Sequence, residues 1–523
     1  MPDHERHRRT RFYIVGEGVF AEDPKKRLSA ARADAKAGSP PDATFRFSRI
    51  VPGGSDNQLD DATRKALAGA MTGAGGAESN IPSGFTYLGQ FIDHDLTMDK
   101  SKKALGDPEP PFKMLQGRSP ALDLDSLYGR GPSENSQFYK ADHIHLKMGR
   151  TVPEGLVLRG FDLPRSGNGH PSAGIPDPRN DENLAVAQTH LAFIRFHNRV
   201  VDTLAPDTPH AVLFMRARKQ VTRHYQWMIK TDFLPRICEQ AVIDDVFTNG
   251  RKIFEKNVPP TQVPTMPVEF SVAAYRLGHS MVRQAYNWNR NFDAGKGTLD
   301  LLFDFSGTSG FLTRSSRLFG VWIADFRRLY HFGDAGRPDL EVPAAKFNNA
   351  MTIDTNLVDE LAHLRDETIG PPLTPGIVHN LAFRNLTRAR MVRLPTGQEV
   401  AQFLNANGVP VTALTAAEIT NGAGAGITVP AAIAAEVAAH TPLWFYVLRE
   451  AELNGGKLTG VGARIVAEVF HRAMEGSETS ILHGPAFTPS TDLGSPDGST
   501  FRMVDLLLFA FENNPGLLNP NGG

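Results

Sequence analysis

The stretch GFTYLGQFIDHDLTMD, residues 84–99, places three ionisable side chains in a row inside an otherwise apolar run. The pattern around them predicts a buried helix over residues 90–98. On that helix Gln90 and His94 lie four residues apart on one face, whereas Asp95 turns toward another side. Charged side chains are rarely buried without partners. The helix therefore marks a candidate functional site.

Asp93 stands beside His94 and flanks the same cavity in this arrangement. Taken alone, the stretch also fits a buried histidine that is held by local carboxylates. A two-histidine zinc site is the weaker alternative, because no HExxH spacing accompanies His94. Other stretches of the sequence distinguish these possibilities.

The composition of the 523-residue chain is that of an ordinary soluble globular protein, with 41% hydrophobic and 22% charged residues. Lys and Arg number 56 against 57 Asp and Glu, so we expect no nucleic-acid partner. No run approaches the roughly 20 apolar residues needed to span a bilayer, so we expect no integral membrane segment. The single cysteine, Cys238, excludes intrachain disulfides and multi-cysteine metal sites, and we interpret it as a packed small hydrophobe.

The chain divides by composition into two parts. Residues 1–80, rich in Gly, Ala, Asp and Pro, predict an irregular N-terminal arm with at most short helices. Residues 81–523 predict one large, mainly helical domain, because helical periodicity dominates and no clear linker or repeat divides them. The opening MPDHERHRRTRF lacks the apolar region of a secretory signal, so we expect a cytoplasmic protein or export by a non-classical route. No feature of the sequence indicates the oligomeric state.

Apolar periodicity predicts four helices beyond residue 99, namely residues 182–205, 211–242, 268–286 and 460–477. In the second of them, Pro235 marks a break near the C-terminal end. Strand-like alternation is scarce, and residues 143–158 are the best hairpin candidate. Within that segment we interpret His143 and His145 as one face of a strand, since no third ligand accompanies them.

The stretch PDPRNDENLAV places Arg179 and Glu182 just before the first of these helices. Either Asp181 or Asn180 is available as the cap that begins the helix. Taken alone, Arg179 also fits an ordinary salt-bridging residue.

Two later stretches contribute polar groups to an apolar setting. YRLGHSMV places His279 beside Gly278, whose missing side chain lets a flat group approach the backbone. A lone histidine on an apolar face is usually a core residue, and an axial ligand is the minority interpretation. AFRNLTRARMVRLPTG then supplies Asn385, able to accept the second-nitrogen proton of a ligating histidine, and Arg388 and Arg390 for anionic groups.

Five short motifs resemble, in order, those of the animal-type haem peroxidases of the peroxidase–cyclooxygenase superfamily. They are GQFIDHDL, SPALDLDSLYG, DPRNDEN with HLAFIRFHNR, YRLGHSM and RNLTRARMVRLPTG. The resemblance runs from about residue 84 to the segment TGVGARIVAEVFHRAMEGSETS. The missing signal peptide and the single cysteine point to a bacterial-type member, not a disulfide-bonded secreted animal enzyme. It implies a mainly α, single-domain fold of the myeloperoxidase-like type with few short strands.

The resemblance also implies a haem peroxidase, which reduces hydrogen peroxide and oxidises a small electron donor. His94 matches the distal histidine above the haem iron, and Gln90 lines the same pocket. Arg179 matches the positive charge that stabilises the separating oxygens of peroxide. These three residues are the expected catalytic groups.

The implied cofactor is haem b. His279 matches the ligand that holds the iron from below, and Asn385 its hydrogen-bond partner. Arg388 matches a residue that binds anionic groups of the cofactor. Asp93 and Glu182 match the two acids that form esters to haem methyl groups.

The resemblance implies calcium as well, held by hard oxygen ligands. Asp95 matches one ligand, and the side chains of Ser119, Asp123 and Asp125 with the Ala121 carbonyl match the others. The ion would brace the helix that carries the distal histidine.

One departure from the mammalian pattern limits the expected donors. Asn183 stands where myeloperoxidase has the methionine that forms a sulfonium link to haem. Because Asn cannot form that link, we expect iodide, bromide, thiocyanate or phenols as donors, and not chloride.

Two alternatives remain. A fatty-acid dioxygenase of the same superfamily carries a radical-forming tyrosine three residues before the proximal histidine, but here that position is Arg276 and Tyr275 is one residue out of register. A haem-binding adhesion or interaction protein would be expected to lose His94 or Arg179, and both are present.

Overall fold

The computed structural model describes residues 45–73, 75–100, 103–152, 160–165, 172–310, 312, 316–364, 376–422 and 426–523. About 49% of the structure is helical, and the described strands are two to five residues long. The predicted mainly α fold class is confirmed.

The α-helices are α1 (Asp61–Met71), α2 (Gly84–Leu96), α3 (Asp125–Tyr128), α4 (Leu184–Leu204), α5 (His210–Met228), α6 (Leu234–Ile237), α7 (Gln240–Asn249), α8 (Leu299–Asp304), α9 (Leu381–Met391), α10 (Gly397–Ala406), α11 (Ala416–Asn421), α12 (Ala434–Ala439), α13 (Leu443–Leu453), α14 (Gly460–Glu475), α15 (Met503–Ala510) and α16 (Pro515–Leu518). Two π-helical turns span Ile229–Phe233 and Glu269–Ala273. The 3-10 turns include Pro178–Asp181 and Ala274–His279, which position the candidate site.

The strands form two-stranded pairs that tie distant parts of the chain together. They are β1 (Phe47–Ser48), β2 (Thr72–Gly73), β3 (Glu78–Pro82), β4 (Gly149–Arg150), β5 (Phe161–Asp162), β6 (Met266–Pro267), β7 (Ala285–Tyr286), β8 (Gly297–Thr298), β9 (Asn349–Met351) and β10 (Leu357–Val358). β1 pairs with β6 and β2 with β10 in parallel, whereas β3–β9, β4–β5 and β7–β8 are antiparallel.

Three of these pairs involve the predicted N-terminal arm. Its described part contains α1, whose N-terminus is capped by Asp60 through a hydrogen bond from the Thr63 N–H, and the strands β1 to β3 pair with strands from residues 266–358. From residue 45 onward this part of the chain is therefore packed on the rest of the molecule. Residues 1–44 lie outside the described residues, and the division at residue 80 stays a prediction.

Helix α2 lies in the core, as its apolar pattern predicts, but it covers residues 84–96 instead of 90–98. Phe91 on α2 stacks on Phe193 of α4 with ring centroids 4.5 Å apart. Burial of each such ring contributes about 1.5–3 kcal/mol to stability. Because α2 is held on this apolar side, its polar residues are fixed in position along the remaining faces.

Two of the four predicted helices are confirmed, as α4 and α14. The segment 211–242 forms α5, continues through a π-helical turn into α6, and breaks at Cys238. The break lies beyond Pro235, which stands in the first turn of α6 directly after the π-helical turn.

The prediction of one α-helix over residues 268–286 is wrong. A π-helical turn and a 3-10 turn replace it, separated at Ala273, whose φ of −130° and ψ of −78° interrupt the helical hydrogen-bond pattern. Apolar periodicity does not distinguish these tighter and wider turns from an α-helix. Since a 3-10 turn repeats every three residues, Arg276 and His279 lie on the same side of it.

The predicted hairpin is present only in part. β4 pairs with β5, which lies beyond residue 158, and residues 153–159 are outside the described residues. The strand assignment for the two histidines is wrong: His143 has a left-handed φ of 57°, and His145 lies in a bend. There Asp142 and Asp202 hold its two ring nitrogens at 2.5 and 3.0 Å.

None of the helices in the described part of the chain combines the length and apolar character that a bilayer crossing requires.

Candidate active site

A cavity that is partly open to solvent lies between α2 and the 3-10 turn Ala274–His279. Gln90 and Asp93 line it from α2, and Arg276 and His279 from the opposite side. Apolar side chains form much of the remaining wall, including Phe85, Phe233, Leu299, Phe303, Leu361 and Leu381. The cavity thus combines an apolar wall with a few polar groups, as is typical of a ligand site.

Gly278 also lines this cavity. A Cβ atom built on Gly278 meets no other atom within 4 Å. The backbone beside His279 is therefore open to the cavity, as a flat ligand requires.

One ring nitrogen of His279 is hydrogen-bonded to a neighbouring side chain. Its Nδ1 lies 2.7 Å from Nδ2 of Asn385, on α9. Burial, with a smaller contribution from Arg276, lowers the pKa of His279 to about 3. The imidazole is therefore neutral at physiological pH, which is the state that a metal ligand needs.

His94 is fully buried on α2 and held in the same way. Its Nδ1 is 2.9 Å from Oδ1 of Asn180, so Nδ1 carries the proton and Nε2 carries a lone pair. Nε2 has no hydrogen-bond partner among the described residues and lies 3.8 Å from Oε2 of Glu182. Burial and the charge of Arg179 lower the pKa of His94 to about 3. His94 is thus a neutral base with a free nitrogen.

Arg179 lies in the 3-10 turn Pro178–Asp181 and ties this turn to the end of α2. Its Nη2 donates to the main-chain oxygens of His94 and Thr97, at 3.0 and 2.6 Å. Its Nε and Nη2 donate to the two carboxylate oxygens of Asp177, at 3.1 and 2.7 Å. Nη1 is buried and has no hydrogen-bond partner in the described part of the chain. One guanidinium nitrogen is therefore left for an external group.

Asp177 fixes the orientation of this guanidinium. Burial disfavours its ionisation, but the guanidiniums of Arg118 and Arg179 outweigh burial and hold the pKa of Asp177 far below its ordinary value. Sequence reasoning missed both Asp177 and Asn180 as site residues, although both stand in the quoted stretch PDPRNDENLAV. Both residues are within two positions of Arg179 in the sequence, and this closeness to a proposed catalytic arginine could have identified them.

Asp93 and Glu182 are both buried carboxyl groups. Asp93 accepts a hydrogen bond from Oγ1 of Thr97 at 3.1 Å and lies 4.0 Å from Nη1 of Arg276. Burial raises the pKa of Asp93 above its ordinary value and raises that of Glu182 much further. Oε2 of Glu182 has no hydrogen-bond partner among the described residues. Both acids are therefore held toward their neutral forms beside His94.

Asn183 begins α4, so the prediction that Asp181 or Asn180 would cap this helix is wrong. Oδ1 of Asn183 accepts from the Val186 N–H at 2.9 Å, and its Nδ2 donates to Oε1 of Gln90, also at 2.9 Å. Asp181 instead forms an ion pair with Arg165, and Oδ1 of Asn180 is hydrogen-bonded to Nδ1 of His94. The cap moves because both earlier side chains are bound elsewhere.

The residues predicted to bind calcium lie near one another, and their oxygen atoms accept hydrogen bonds from other residues of the protein. Asp95 accepts hydrogen bonds from the N–H groups of Leu124 and Ser126, at 3.1 and 3.2 Å. Burial and the charges of Asp125 and Asp123 raise the pKa of Asp95 to about 8.

The other predicted calcium ligands are held similarly. The Ser119 N–H donates to Asp125 at 3.1 Å, and the Ala121 N–H donates to Oγ of Ser119 at 3.3 Å. Asp123 accepts from Ser477 at 2.5 Å, and burial raises its pKa to about 6. Among the described residues, no three His, Cys, Asp or Glu side chains form a metal-ligating group. The donor atoms suit calcium, and a cation there would offset the repulsion between these buried acids.

Arg388 does not line the cavity. It forms ion pairs with Asp99 and with Glu109, the latter at 3.0 Å. Arg390 lines a separate surface depression that also contains Arg64. Of the predicted site residues, Gln90, Asp93 and His279 line the cavity. The lining residues do not include His94, Arg179, Glu182, Asn385, Arg388 or Arg390.

Tyr275 also contacts the cavity, but it does not share the position of Arg276. It stacks on Phe270 with ring centroids 4.7 Å apart, and its hydroxyl donates to the Gly89 carbonyl at 3.3 Å. On a 3-10 turn one residue corresponds to a rotation of about 120°, slightly more than on an α-helix. The position three residues before His279 is therefore occupied by a cation and not by a phenol.

Comparison with known proteins gives one family match. The sequence model of the family described as animal haem peroxidase matches residues 100–315. A peroxidase-like protein of Margaritifera margaritifera is 32% identical in an alignment of 253 residues, and the alignment covers 39% of this chain and 32% of that protein. Thyroid peroxidase of Homo sapiens is 26% identical over 196 residues, covering 33% of this chain and 20% of that protein. The matches span a third or less of these relatives.

Solved structures share the fold at low sequence identity. Peroxidase A from Dictyostelium discoideum superposes with a TM-score of 0.59 and 17% identity, covering 91% of this chain and 95% of that one. The fatty acid alpha-dioxygenase of Arabidopsis thaliana gives a TM-score of 0.57 and 14% identity, covering 91% and 78%. At these identities the similarity concerns the fold alone.

Proposed function

This chain belongs to the animal haem peroxidase family, and from that premise we propose that it binds haem b in the cavity beside His279 and reduces hydrogen peroxide while oxidising small donors. The observation that carries the proposal is the state of His94. It is a buried neutral imidazole whose Nε2 has no hydrogen-bond partner in the described part of the chain, next to a guanidinium with one free nitrogen.

Haem, when bound, supplies an iron centre for cleavage of the peroxide O–O bond. His279 would hold it, and Gly278 leaves room for its approach. A proton on Nδ1 of His279 would need an acceptor, and a half-turn of the Asn385 amide presents Oδ1 to that nitrogen. Asn385 would thereby fix the orientation of the ligand.

His94 would perform the acid–base chemistry. Its Nε2 accepts a proton from hydrogen peroxide and returns it to the departing oxygen, while Asn180 keeps the other nitrogen protonated. Nη1 of Arg179 would stabilise the negative charge that develops on the separating oxygens. Asp177 keeps that guanidinium in place.

Two acids would attach the cofactor. Asp93 lines the cavity. Glu182 lies 3.8 Å from His94 and directly precedes Asn183, which lines the cavity. We propose that each forms an ester to a haem methyl group, and only after exposure to peroxide. Asn183 has no thioether for a third link, and its amide is bound to Gln90.

Calcium would stabilise the site without taking part in the chemistry. The proposed ligands are Asp95, Ser119, Asp123 and Asp125 with the Ala121 carbonyl, all oxygen donors of the kind that calcium prefers. To bind an ion, Asp95 would exchange some of its hydrogen bonds to main-chain N–H groups for the cation.

The absence of a sulfonium link favours iodide, bromide, thiocyanate or phenols over chloride as donors. Fatty-acid dioxygenation is disfavoured by Arg276, since a guanidinium cannot form the radical that a tyrosine forms at that position.

A donor assay tests the proposal. Protein purified with haem should oxidise iodide and a simple phenol in the presence of hydrogen peroxide, with chloride giving no product above background. Haem-free protein and His94→Ala protein are the controls. If the holoprotein oxidises iodide and phenol no faster than these controls do, the proposed function is contradicted.

A further inference from the structure

Two tyrosines form a buried hydrogen-bonded pair at the cavity wall. Tyr87 lines the cavity, and its hydroxyl donates to the hydroxyl oxygen of Tyr286 at 2.7 Å. The ring centroids are 5.9 Å apart, and both side chains are buried. The two phenol hydroxyls are therefore hydrogen-bonded to each other in a buried environment.

Tyr87 belongs to the same part of α2 as the proposed distal groups. It precedes Gln90 by three residues and His94 by seven, and positions at this spacing lie on one face of an α-helix. The phenol therefore faces the side on which hydrogen peroxide would react.

Tyr286 is fully buried, and it lies between chain neighbours that reach the surface. It lies on β7, and its oxygen accepts a second hydrogen bond from the Arg283 N–H at 3.0 Å. Its chain neighbours Ala285 and Asn287 line an open depression at the surface, together with Arg283. Tyr87 thus lines the cavity, and the main chain of Tyr286 lies next to residues that line this depression.

The surroundings of both phenols favour removal of an electron and a proton together. Burial raises the pKa of each tyrosine above its ordinary value, so neither exists as phenolate. The oxygen of Tyr286 accepts two hydrogen bonds, which stabilise a phenoxyl oxygen in the same way as any electron-rich acceptor.

We propose that the Tyr87–Tyr286 pair is a one-electron relay that carries oxidising equivalents from the cavity to the surface depression. This inference rests on the proposed peroxidase function, with hydrogen peroxide as the oxidant. In one turnover the Tyr87 O–H bond breaks, and one electron and one proton leave the phenol. A donor molecule D–H gives the second electron and proton, so that H₂O₂ becomes two molecules of water.

The phenoxyl group is then restored by a second donor. This donor gives up one electron and one proton and leaves as a radical. The electron and a proton re-form the O–H bond of the pair, so the relay is catalytic. A donor at the surface depression would react through Tyr286 and would not have to enter the cavity. The relay therefore permits phenolic donors that are larger than the cavity entrance.

Radical trapping tests the relay directly. Holoprotein is mixed with hydrogen peroxide and a nitroso radical trap without donor, and the trapped adducts are located by peptide mass spectrometry. We expect adducts on Tyr87 or Tyr286, and their loss in Tyr87→Phe. Tyr275→Phe is the matched control, because it removes another buried phenol of the cavity wall but should leave those adducts in place.

Mapping in the unchanged protein keeps the test decisive if a variant does not fold. Adducts confined to other residues, in protein whose absorption spectrum responds to peroxide, would overturn the relay and leave the proposed function intact. A spectrum that does not respond to peroxide would instead overturn the proposed function.

A donor of controlled size gives a second readout. Phenol groups attached to dextran are too large for the cavity, whereas free phenol is not. We expect Tyr286→Phe to reduce oxidation of the dextran phenol at least tenfold more than oxidation of free phenol. Equal reductions for both donors would contradict transfer to the surface.

Discussion

Arg179 and His94 are joined through the main chain, because Nη2 of Arg179 donates to the carbonyl oxygen of His94 at 3.0 Å. The same nitrogen contacts Asp177 at 2.7 Å, so one carboxylate determines where the guanidinium lies relative to α2. The two proposed distal groups, 85 residues apart in the chain, therefore move as one unit.

The first prediction concerns Asp177. Replacement with Asn removes the anion that two buried guanidiniums share, and breaking a buried ion pair costs about 3–5 kcal/mol. We expect Asp177→Asn to lower the free energy of unfolding by that order in urea denaturation. Asp202→Asn is the control, because the Asp202 side chain is 56% exposed and pairs with His145, an interaction worth about 0–1 kcal/mol. Equal midpoints for the two variants would show that Asp177 is not the anchor.

The second prediction separates the roles of the two ring nitrogens of His94. His94→Ala should keep haem but slow the reaction with hydrogen peroxide by about 10²–10⁴-fold, the range typical of a removed acid–base group. Asn180→Ala should give a smaller loss, because it disturbs only the tautomer of the imidazole. Stopped-flow absorption at varied peroxide concentration measures both rates. Unchanged rates in His94→Ala would remove His94 from the reaction.

A third expectation is that haem binding depends on His279. His279→Ala should lose most haem, measured as the ratio of haem to protein absorbance, because the fixed ligand of the iron is gone. His363→Ala is a matched control, since its side chain is 73% exposed and far less constrained. A normal haem content and a normal ferric spectrum in His279→Ala would mean that the ligand lies elsewhere.

Covalent attachment gives the fourth prediction. After peroxide treatment, haem should resist extraction by acidified organic solvent, whereas untreated protein should release part of it. Asp93→Val and Glu182→Ala should each remove one bond, and the double variant both, as read by mass spectrometry of the haem peptide. Fully extractable haem in an active, peroxide-treated protein would refute the esters. A vinyl–sulfur adduct would refute the inference from Asn183.

Calcium binding is the fifth prediction. Asp123→Ala should release calcium and lower the thermal midpoint, because a ligand that binds only the folded state stabilises it. Elemental analysis after gel filtration measures the metal directly. Asp492→Ala, a change of an exposed acid far from the proposed ligands in sequence, should leave calcium content unchanged. Full calcium occupancy in Asp123→Ala would exclude this site.

The helical fold and the central position of α2 were predictable, because the apolar periodicity of α2, α4 and α14 is strong and because the motifs occur in family order. The conformation of residues 268–286 was not predictable, since the same apolar spacing fits α-, 3-10 and π-helical turns. His143 and His145 were misassigned because Asp142 and Asp202, one of them 57 residues away, determine where His145 lies.

The candidate site was predictable where residues stand in a motif and not where they act through a partner. Gln90, Asp93 and His279 line one cavity as expected. The contact between Asn180 and His94 forms because the 3-10 turn Pro178–Asp181 packs against α2. The two residues are 86 positions apart, and no sequence pattern predicts that they meet. The ion pairs of Arg388 were likewise not predictable, because its two acidic partners are distant in sequence. A role of Arg388 in binding the cofactor stays a prediction.

The most direct measurement is the absorption spectrum of the purified holoprotein before and after one equivalent of hydrogen peroxide, followed by addition of a phenolic donor. We predict a Soret band that shifts within the mixing time, and that returns to its initial position when the donor is added. His94→Ala protein should show the initial band but not the rapid shift. A Soret band that peroxide only bleaches, or a purified protein with no Soret band after incubation with haem, would contradict the proposed haem peroxidase function.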